Sequence, residues 1–337
     1  MTTQDELTQT IKDMVDDHRG ILAMDESAPT IKKRFDSIGV ESTEEMRRVY
    51  RTLLLETEDL GLYISGAILF EETLNQKNNN NKALAEIAWQ QNIVPGIKVD
   101  KGTGPLPGAA GDLITYGLDG LGKRLAEYKE LGARFAKWRE VYPISPSNPS
   151  QLGLHANAEM LARYAAVCQE LGIVPIVEPE VLMDGDHTIS RCAEVTESVL
   201  QAVFDKLHLH GVQLENMILK PNMILPGKDS QRASPEQIAA ATLEVLKRHV
   251  PAAVPSINFL SGGQGPEEAT ENLNAINQLR GNSPWKLSLS YGRALQQPVL
   301  QAWMGKQENH DAAQQALLKR ARLNSLACCG EYSLGLE

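Results

Sequence analysis

Eight short apolar segments, each bounded by glycine or proline, recur along this chain and restrict the folds that it can adopt. They span residues 20–24, 62–70, 93–99, 133–138, 173–180, 217–225, 254–260 and 285–290. Each has the length and composition of a buried β-strand. Between them, residues 43–56, 157–171, 195–207, 235–249 and 266–279 show apolar spacings of three and four, and this pattern predicts helices.

Strands that alternate with helices favour a parallel sheet, and eight such strands favour a (β/α)8 TIM barrel. A length of 337 residues is ordinary for one barrel of this kind. We therefore predict an α/β fold with a single domain over residues 1–337, in which 1–19 form a helical extension and 329–337 a short C-terminal tail. The segment 143–150, rich in proline and serine, is predicted to connect the fourth strand to its helix.

Charge and composition exclude several classes of protein. The net charge is −10 and the chain has no run of basic residues, so no nucleic-acid partner is expected and any anionic ligand must be held by local cations. The polar N-terminus, and the lack of an apolar stretch of about 18 residues, predict neither a signal peptide nor a membrane span. The four cysteines follow no metal or disulfide spacing, which fits a reducing, cytoplasmic location.

Polar side chains stand at or just beyond the end of each predicted strand: Asp25, Glu71, Lys98, Lys137, Glu178, Lys220, Ser261 and Arg293. In a barrel these ends form one face, where active sites are found. Side chains two positions apart in a strand share a face. This predicts three inward-facing sets: Lys137 with Arg139, Glu178 with Glu180, and Ile218 with Lys220 and Asn222.

Lys220 is the only charged residue in the apolar segment 217–225. Burial disfavours the charged form of an amine, and a neutral lysine is the nucleophile that imine chemistry needs. Lys98 and Lys137 could favour the neutral form electrostatically, while Glu178 and Glu180 could move protons. Two plainer interpretations stay open: Lys220 extends its amine to water, and the two glutamates form structural ion pairs with the lysines.

Two neighbouring turns suggest a site for an anion. The glycine-rich turn 260–268 lies between a strand and a helix, where backbone N–H groups can point at an anion. The next turn, 290–294, adds the Ser290 hydroxyl and the Arg293 guanidinium, and barrels often bind phosphate near strands seven and eight. Asp25 directly follows the first strand, whereas Ser27 and Thr30 could equally cap a helix. The histidines in 184–187 and 208–210 lack a partner motif, so no metal site is predicted.

Seven ordered motifs resemble those of the class I fructose-bisphosphate aldolases of the animal and plant type. They lie at residues 20–27, 96–102, 135–139, 176–180, 219–223, 260–264 and 290–295, and the resemblance runs from about residue 20 to about residue 328. It implies that Lys220 is the Schiff-base lysine and that Glu178 is the general acid/base that dehydrates the carbinolamine. Glu180 and Lys137 would support proton transfer and charge balance, and Asp25 would act at the C3 and C4 hydroxyls.

The resemblance also implies two phosphate sites. One would be held by Ser261, Gly262, Gly263, Ser290, Gly292 and Arg293. The other would be held or approached by Ser27, Thr30, Arg34 and Lys98, with Arg139 nearby. A protonated imine accepts the electrons released in retro-aldol cleavage, so the resemblance implies neither a metal nor any other cofactor.

The sequence departs from the family pattern at three places. Asn216 stands where glycine is usual, and Thr30, preceded by Pro29, stands where serine is commoner. The sequence ends at Glu337 without the long tail, terminated by tyrosine, that the animal enzymes use to protonate the enamine. We therefore expect Glu178 to supply that proton and proton exchange to be slow, unless Tyr332 reaches the site.

The sequence thus predicts a cytoplasmic, metal-independent lyase that reversibly cleaves fructose 1,6-bisphosphate to dihydroxyacetone phosphate and glyceraldehyde 3-phosphate. Its expected partners are small phosphorylated sugars, with no nucleic acid and no membrane, and the resemblance suggests a homotetramer. Two alternatives stay open. One is a Schiff-base aldolase that prefers sedoheptulose 1,7-bisphosphate, and the other is a phosphosugar-binding scaffold protein.

Overall fold

The structure is a computed structural model that describes residues 2–337. The strands in these residues are β1 Gly20–Met24, β2 Ile64–Leu69, β3 Val94–Lys98, β4 Thr103–Pro105, β5 Leu113–Thr115, β6 Phe135–Tyr142, β7 Val174–Val181, β8 Ile218–Leu219, β9 Ser256–Phe259 and β10 Lys286–Tyr291. Eight of them form a closed parallel barrel in the spatial order β1, β10, β9, β8, β7, β6, β3, β2. These eight are the predicted segments, so the barrel prediction is confirmed.

The helices are α1 Thr3–Met14, α2 Ala28–Asp36, α3 Glu44–Leu55, α4 Glu71–Asn75, α5 Leu84–Gln90, α6 Leu121–Glu130, α7 Gln151–Glu170, α8 Ile189–Leu209, α9 Pro235–His249, α10 Pro266–Leu279, α11 Arg293–Trp303 and α12 His310–Cys329. The predictions for α9 and α10 are confirmed at both ends. Each helix begins with proline, at a position where no backbone N–H is needed. Helices α7 and α8 begin earlier than predicted, since Ser150 and Thr188 cap them.

Strand β6 is longer than its apolar segment, and β7 has the predicted length but lies one residue further along the chain. Strand β6 continues past Lys137 to Tyr142, and β7 continues past Glu178 to Val181, with matched pairing throughout. The prediction that Lys137 and Glu178 stand at strand ends is therefore wrong, because both lie inside their strands. They still face the same end of the barrel, since these two strands project beyond their neighbours there.

Strand β8 is shorter than predicted and ends at Leu219. Pro221 has no N–H to continue the ladder. The alternation then breaks: the Asn222 amide oxygen accepts from the Val181 N–H at 2.9 Å, and its NH₂ group donates to the Met223 carbonyl and the Thr196 hydroxyl. The prediction that Asn222 points into the barrel with Lys220 is therefore wrong.

The barrel has an inner core and an outer core. The inner core is formed by Ile21, Ala23, Ile68, Val94, Phe135, Val174, Ile176 and Ile218, and α1 adds Leu7 and Met14 from below. The outer core packs the strands against the surrounding helices. Gly96 makes room for the Phe135 ring, because a Cβ there would lie 2.2 Å from it. The lower half of the barrel is thus filled with apolar side chains, and the polar groups occupy the upper half.

A small hairpin stands above β3 and β6. Strands β4 and β5 pair antiparallel with Thr103 opposite Thr115, and the Thr115 hydroxyl donates to the Arg139 carbonyl at 2.8 Å. The hairpin therefore attaches to β6 next to the upper half of the barrel. None of the helices within residues 2–337 has the length and apolar character needed to cross a membrane.

Candidate active site

A cavity of about 850 Å³ opens at the carboxyl ends of the barrel strands. All sixteen predicted site residues line it: Asp25, Ser27, Thr30, Arg34, Lys98, Lys137, Arg139, Glu178, Glu180, Lys220, Ser261, Gly262, Gly263, Ser290, Gly292 and Arg293. These sixteen positions are spread along the sequence from residue 25 to residue 293. The barrel topology alone therefore brings them together.

Lys137 lies at the centre of a buried cluster of charges. Its Nζ lies 3.0 Å from Asp25 Oδ2, 3.4 Å from Glu178 Oε2 and 3.6 Å from Asp100 Oδ2. The Lys220 Nζ lies 3.2 Å from the other Glu178 oxygen. The two lysine side chains are 4% and 5% exposed, so water screens these contacts little.

Asp25 and Lys137 keep each other ionised. Burial alone would lower the pKa of Lys137, but Asp25, Glu178 and Asp100 outweigh it and raise that pKa. Burial alone would raise the pKa of Asp25, but Lys137, Lys220 and Lys98 lower it to about 2. Asp25 is therefore a carboxylate, and Lys137 an ammonium ion, across the physiological pH range.

Lys98 extends this cluster towards β3. Its Nζ donates to the Asp100 carboxylate and to the Asp100 carbonyl oxygen, the latter at 2.9 Å. Burial, followed by the neighbouring Lys137 charge, lowers the pKa of Lys98. Burial would raise the pKa of Asp100, but Lys137 and Lys98 lower it. Asp100 thus holds two cations, although it was not among the predicted site residues.

Arg139 and Glu180 form a separate pair at the edge of the cavity. The Arg139 Nε lies 2.5 Å from a Glu180 oxygen, so the Glu180 carboxylate pairs with arginine rather than with the central lysines. The inward orientation predicted for both residues is confirmed, since both line the cavity. The structural ion pairing left open for Glu180 is present, but with a different partner from the predicted lysines.

The two turns predicted to bind an anion lie side by side above β9 and β10. Gly262 and Gly263 have φ values of 51° and 88°, and a Cβ at Gly263 would lie 2.3 Å from the Met183 sulfur. A side chain at Gly263 would therefore be strained by its conformation and would require Met183 to move. The buried Ser290 hydroxyl has no hydrogen-bond partner among the described residues, and such a group requires a ligand or water.

Arg34 lies on the same side of the cavity as these turns. A Cβ built on Gly292 would lie 3.5 Å from the Arg34 guanidinium, which also pairs with Glu26 at 2.5 Å. The structure therefore places Arg34 beside the 290–293 turn, whereas the sequence prediction grouped it with Ser27 and Thr30. Those two hydroxyls lie 3.2 Å apart, and Ser27 makes no side-chain capping bond although it precedes α2.

Four charged residues of the cavity were absent from the predicted set: Glu26, Glu71, Asp100 and Lys101. Three of them follow a predicted residue by one, two or three positions, beyond a strand end where alternation no longer applies. Glu71 stands at the end of a predicted strand, but neither the sequence pattern nor the resemblance predicts a role for it. For Glu26, Asp100 and Lys101 the only available signal is their nearness in sequence to Asp25 and Lys98.

Tyr332 and the histidine pairs do not join the site. The Tyr332 hydroxyl donates to Glu337 at 2.7 Å, the side chain is buried, and Tyr332 does not line the cavity. The expectation that Glu178 replaces a tail tyrosine stays a prediction. Within residues 2–337, no group of three or more His, Cys, Asp or Glu could hold a metal ion.

Comparison with known proteins identifies the family. A family model described as fructose-bisphosphate aldolase class-I matches residues 6–337. The cytosolic fructose-bisphosphate aldolase 4 of Arabidopsis thaliana is 57% identical over 315 residues, which cover 93% of this chain and 80% of the relative. The fructose-bisphosphate aldolase cytoplasmic isozyme 2 of Pisum sativum is 55% identical over 315 residues, which cover 93% of this chain and 88% of the relative.

A solved structure agrees over almost the whole fold. Fructose-bisphosphate aldolase from Plasmodium falciparum, in complex with TRAP and a small-molecule inhibitor, superposes with a TM-score of 0.96 at 50% identity. The match covers 98% of this chain and 96% of the other. Taken with the charge cluster around Lys137, these matches show that the chain belongs to the class-I fructose-bisphosphate aldolase family.

Proposed function

We propose that the protein reversibly cleaves fructose 1,6-bisphosphate to dihydroxyacetone phosphate and glyceraldehyde 3-phosphate through a Schiff base on Lys220. The observation that carries this assignment is how the carboxylates are shared. Lys137 has three of them within 4 Å, whereas among residues 2–337 Lys220 has only Glu178. Lys137 is thus held as an ammonium ion, while Glu178 is the one carboxylate positioned to take a proton from Lys220 so that its amine can attack.

Glu178 carries the proton through the following steps. The Lys220 amine adds to the C2 carbonyl, and Glu178 protonates the carbinolamine hydroxyl, which leaves as water and yields the protonated imine. Glu178, again a carboxylate, then takes the proton of the C4 hydroxyl. The electrons of the C3–C4 bond move into the imine, the aldehyde leaves, and an enamine remains. Glu178 returns this proton at C3, and hydrolysis of the resulting imine releases dihydroxyacetone phosphate and restores the Lys220 amine.

The other buried charges position the substrate. Asp25 is ionised and accepts hydrogen bonds from the C3 and C4 hydroxyls, a role supported by its contact with Lys137 next to Glu178. Lys137 stabilises the negative charge on Glu178 between proton transfers. Arg139 and Glu180 balance each other at the cavity edge, next to this cluster.

Strand order supports one orientation of the sugar in the cavity. Only C1 and one oxygen separate the C2 carbon from the first phosphorus, so this phosphate must bind next to Lys220. Strands β9 and β10 follow β8 in the barrel and carry the 261–263 and 290–293 turns. The C6 phosphate then lies across the cavity, above β1, β2 and β3, near Ser27, Thr30 and Lys98.

The remaining features of the proposal follow from the family and its named relatives. The reaction needs no metal or other cofactor, because the protonated imine itself accepts the electrons. Relatives named cytosolic or cytoplasmic support a cytosolic location. The single domain over residues 1–337, and assembly into a homotetramer, stay part of the proposal.

Borohydride reduction tests the assignment directly. Wild-type protein incubated with dihydroxyacetone phosphate and borohydride is expected to lose its activity irreversibly, and peptide mapping is expected to place the reduced adduct on Lys220. Lys220→Ala should give no adduct and no cleavage while keeping phosphate binding, because it removes the covalent intermediate and not an anchor. A chelator should leave wild-type activity intact.

Two controls sharpen the result. Lys137→Met removes the neighbouring amine, and it should still form the adduct on Lys220 if its fold survives. An adduct on Lys137 or Lys98 in the wild type would refute the role of Lys220. Tight phosphosugar binding with neither adduct nor turnover would instead support the scaffold alternative.

A further inference from the structure

The part of the cavity above β2 and β3 contains two lysine–carboxylate pairs of unequal exposure. Lys98 pairs with Asp100, and these side chains are 16% and 5% exposed. Lys101 pairs with Glu71 at 2.7 Å, and these side chains are 46% and 45% exposed. All four residues line the cavity, on the side where the C6 phosphate is proposed to bind.

Exposure decides which of the two pairs can open for a ligand. A solvent-exposed ion pair contributes little to stability, because water hydrates both partners after they separate. Opening a buried pair leaves a charge without water or partner and is strongly unfavourable. Lys98 is also held twice by Asp100, through the carboxylate and the carbonyl oxygen. The Lys101 ammonium is therefore the cation that an incoming phosphate can recruit more easily.

The surroundings of Lys101 fix its backbone and its resting position. The Lys101 N–H donates to the Tyr116 carbonyl at 2.8 Å, and the Tyr116 N–H donates to Gly102 at 2.9 Å, so the hairpin anchors the backbone. Glu71 receives a second hydrogen bond from the buried Tyr128 hydroxyl at 2.8 Å, which holds its carboxylate at the rim. Only the flexible lysine side chain needs to move.

We propose that Lys101 is a specificity-determining residue that leaves Glu71 and binds the outer phosphate of a bisphosphorylated ketose. Glu71, oriented by Tyr128, holds the ammonium at the rim until that phosphate arrives. This inference rests on the proposed function, because it assumes that the C2 end of the sugar is bound at Lys220. Lys101 therefore distinguishes a bisphosphate from a sugar phosphorylated at C1 alone.

Steady-state kinetics with fructose 1,6-bisphosphate and fructose 1-phosphate test this. Lys101→Met is expected to lower kcat/KM for the bisphosphate about tenfold, as for the loss of one charged hydrogen bond, and to leave the monophosphate within about twofold. Glu71→Gln frees Lys101 and should lower KM for the bisphosphate about threefold. Lys286→Met is the matched control, since Lys286 also pairs with an exposed aspartate but at the opposite end of the barrel.

A double variant separates Lys101 from the charge of Glu71 itself. If Glu71 acts through Lys101, Glu71→Gln should have no effect on KM in the Lys101→Met background. A gain that persists there overturns the inference. Equal loss for both substrates in Lys101→Met, or an unchanged ratio between them, overturns it as well.

Calorimetric Kd values for the same two sugars judge Lys101 even without turnover. If the wild type cleaves neither sugar, the proposed function fails. Lys101 is still judged by whether Lys101→Met weakens binding of the bisphosphate alone.

Discussion

Glu140 is a buried carboxyl on the outer face of β6, and its ionisation should set the stability of the protein in mild alkali. Its side chain is 0% exposed. The Trp138 indole N–H donates to one carboxyl oxygen at 2.8 Å, and the Thr115 N–H donates to the other at 3.2 Å. Burial raises the pKa of Glu140 to about 8 despite these two hydrogen bonds, which lower it.

The shift fixes both the sign and the size of the effect. The folded protein holds the Glu140 proton up to a pKa of about 8, whereas the unfolded chain releases it near 4.5. Stability due to this proton is therefore complete below the unfolded pKa, and it is lost as pH rises through the folded one. Between about pH 6 and about pH 9 the unfolding free energy should fall by about 2–3 kcal/mol through this group alone.

Glu140→Gln tests this because an amide keeps the shape and cannot ionise. The variant should lack this loss of about 2–3 kcal/mol, so urea unfolding at about pH 6 and about pH 9 should show a smaller pH dependence than in the wild type. Any hydrogen bond lost on replacement by the amide lowers the unfolding free energy equally at both pH values. Glu86→Gln, at an exposed glutamate, is the control and should follow the wild type. Equal pH dependence in Glu140→Gln and the wild type would refute the reasoning.

Two further changes test the cavity. Lys137→Met removes the cation shared by Asp25, Asp100 and Glu178, and it should lower the unfolding free energy by about 3–5 kcal/mol, because a buried charge pair is broken. Urea unfolding at neutral pH measures this change. A loss below about 1 kcal/mol would contradict the sharing of Lys137 by the three carboxylates. Arg293→Ala should raise KM for fructose 1,6-bisphosphate through the loss of about 1.5–3 kcal/mol of charged hydrogen bonding; an unaltered KM would exclude Arg293 from the site.

The barrel strands could be predicted because each is an apolar segment between chain breakers, but their ends could not. Strand β6 contains Arg139 and Glu140 beyond its apolar part, and charged residues ordinarily indicate a loop. Both are accommodated by contacts from other elements: Glu180 pairs with Arg139, and Thr115 donates to Glu140. Such partners are distant in sequence, so no local pattern announces them.

The site was predictable where residues lie in regular strands and less so beyond them. Alternation placed Lys137 and Arg139 on one face, since the backbone there is extended. Asp100 lies past the end of β3, where its orientation depends on contacts with Lys98 and Lys137 that only the folded barrel supplies. The predicted orientation of Asn222 is wrong for the same reason, because strand β8 has already ended at Leu219.

The balance of charge in the cavity explains how a chain of net charge −10 accepts a polyanion. Seven cations and six carboxylates line the cavity, and six of the cations have a carboxylate within 4 Å. Arg293 has none among residues 2–337, so a phosphate can bind it without breaking an ion pair. Lys101 is the next most available cation for a phosphate, because its ion pair with Glu71 is exposed, whereas the buried ion pairs resist opening. A sugar phosphate should therefore bind first through Arg293, with its carbonyl beside Lys220, and recruit Lys101 only when it carries a second phosphate.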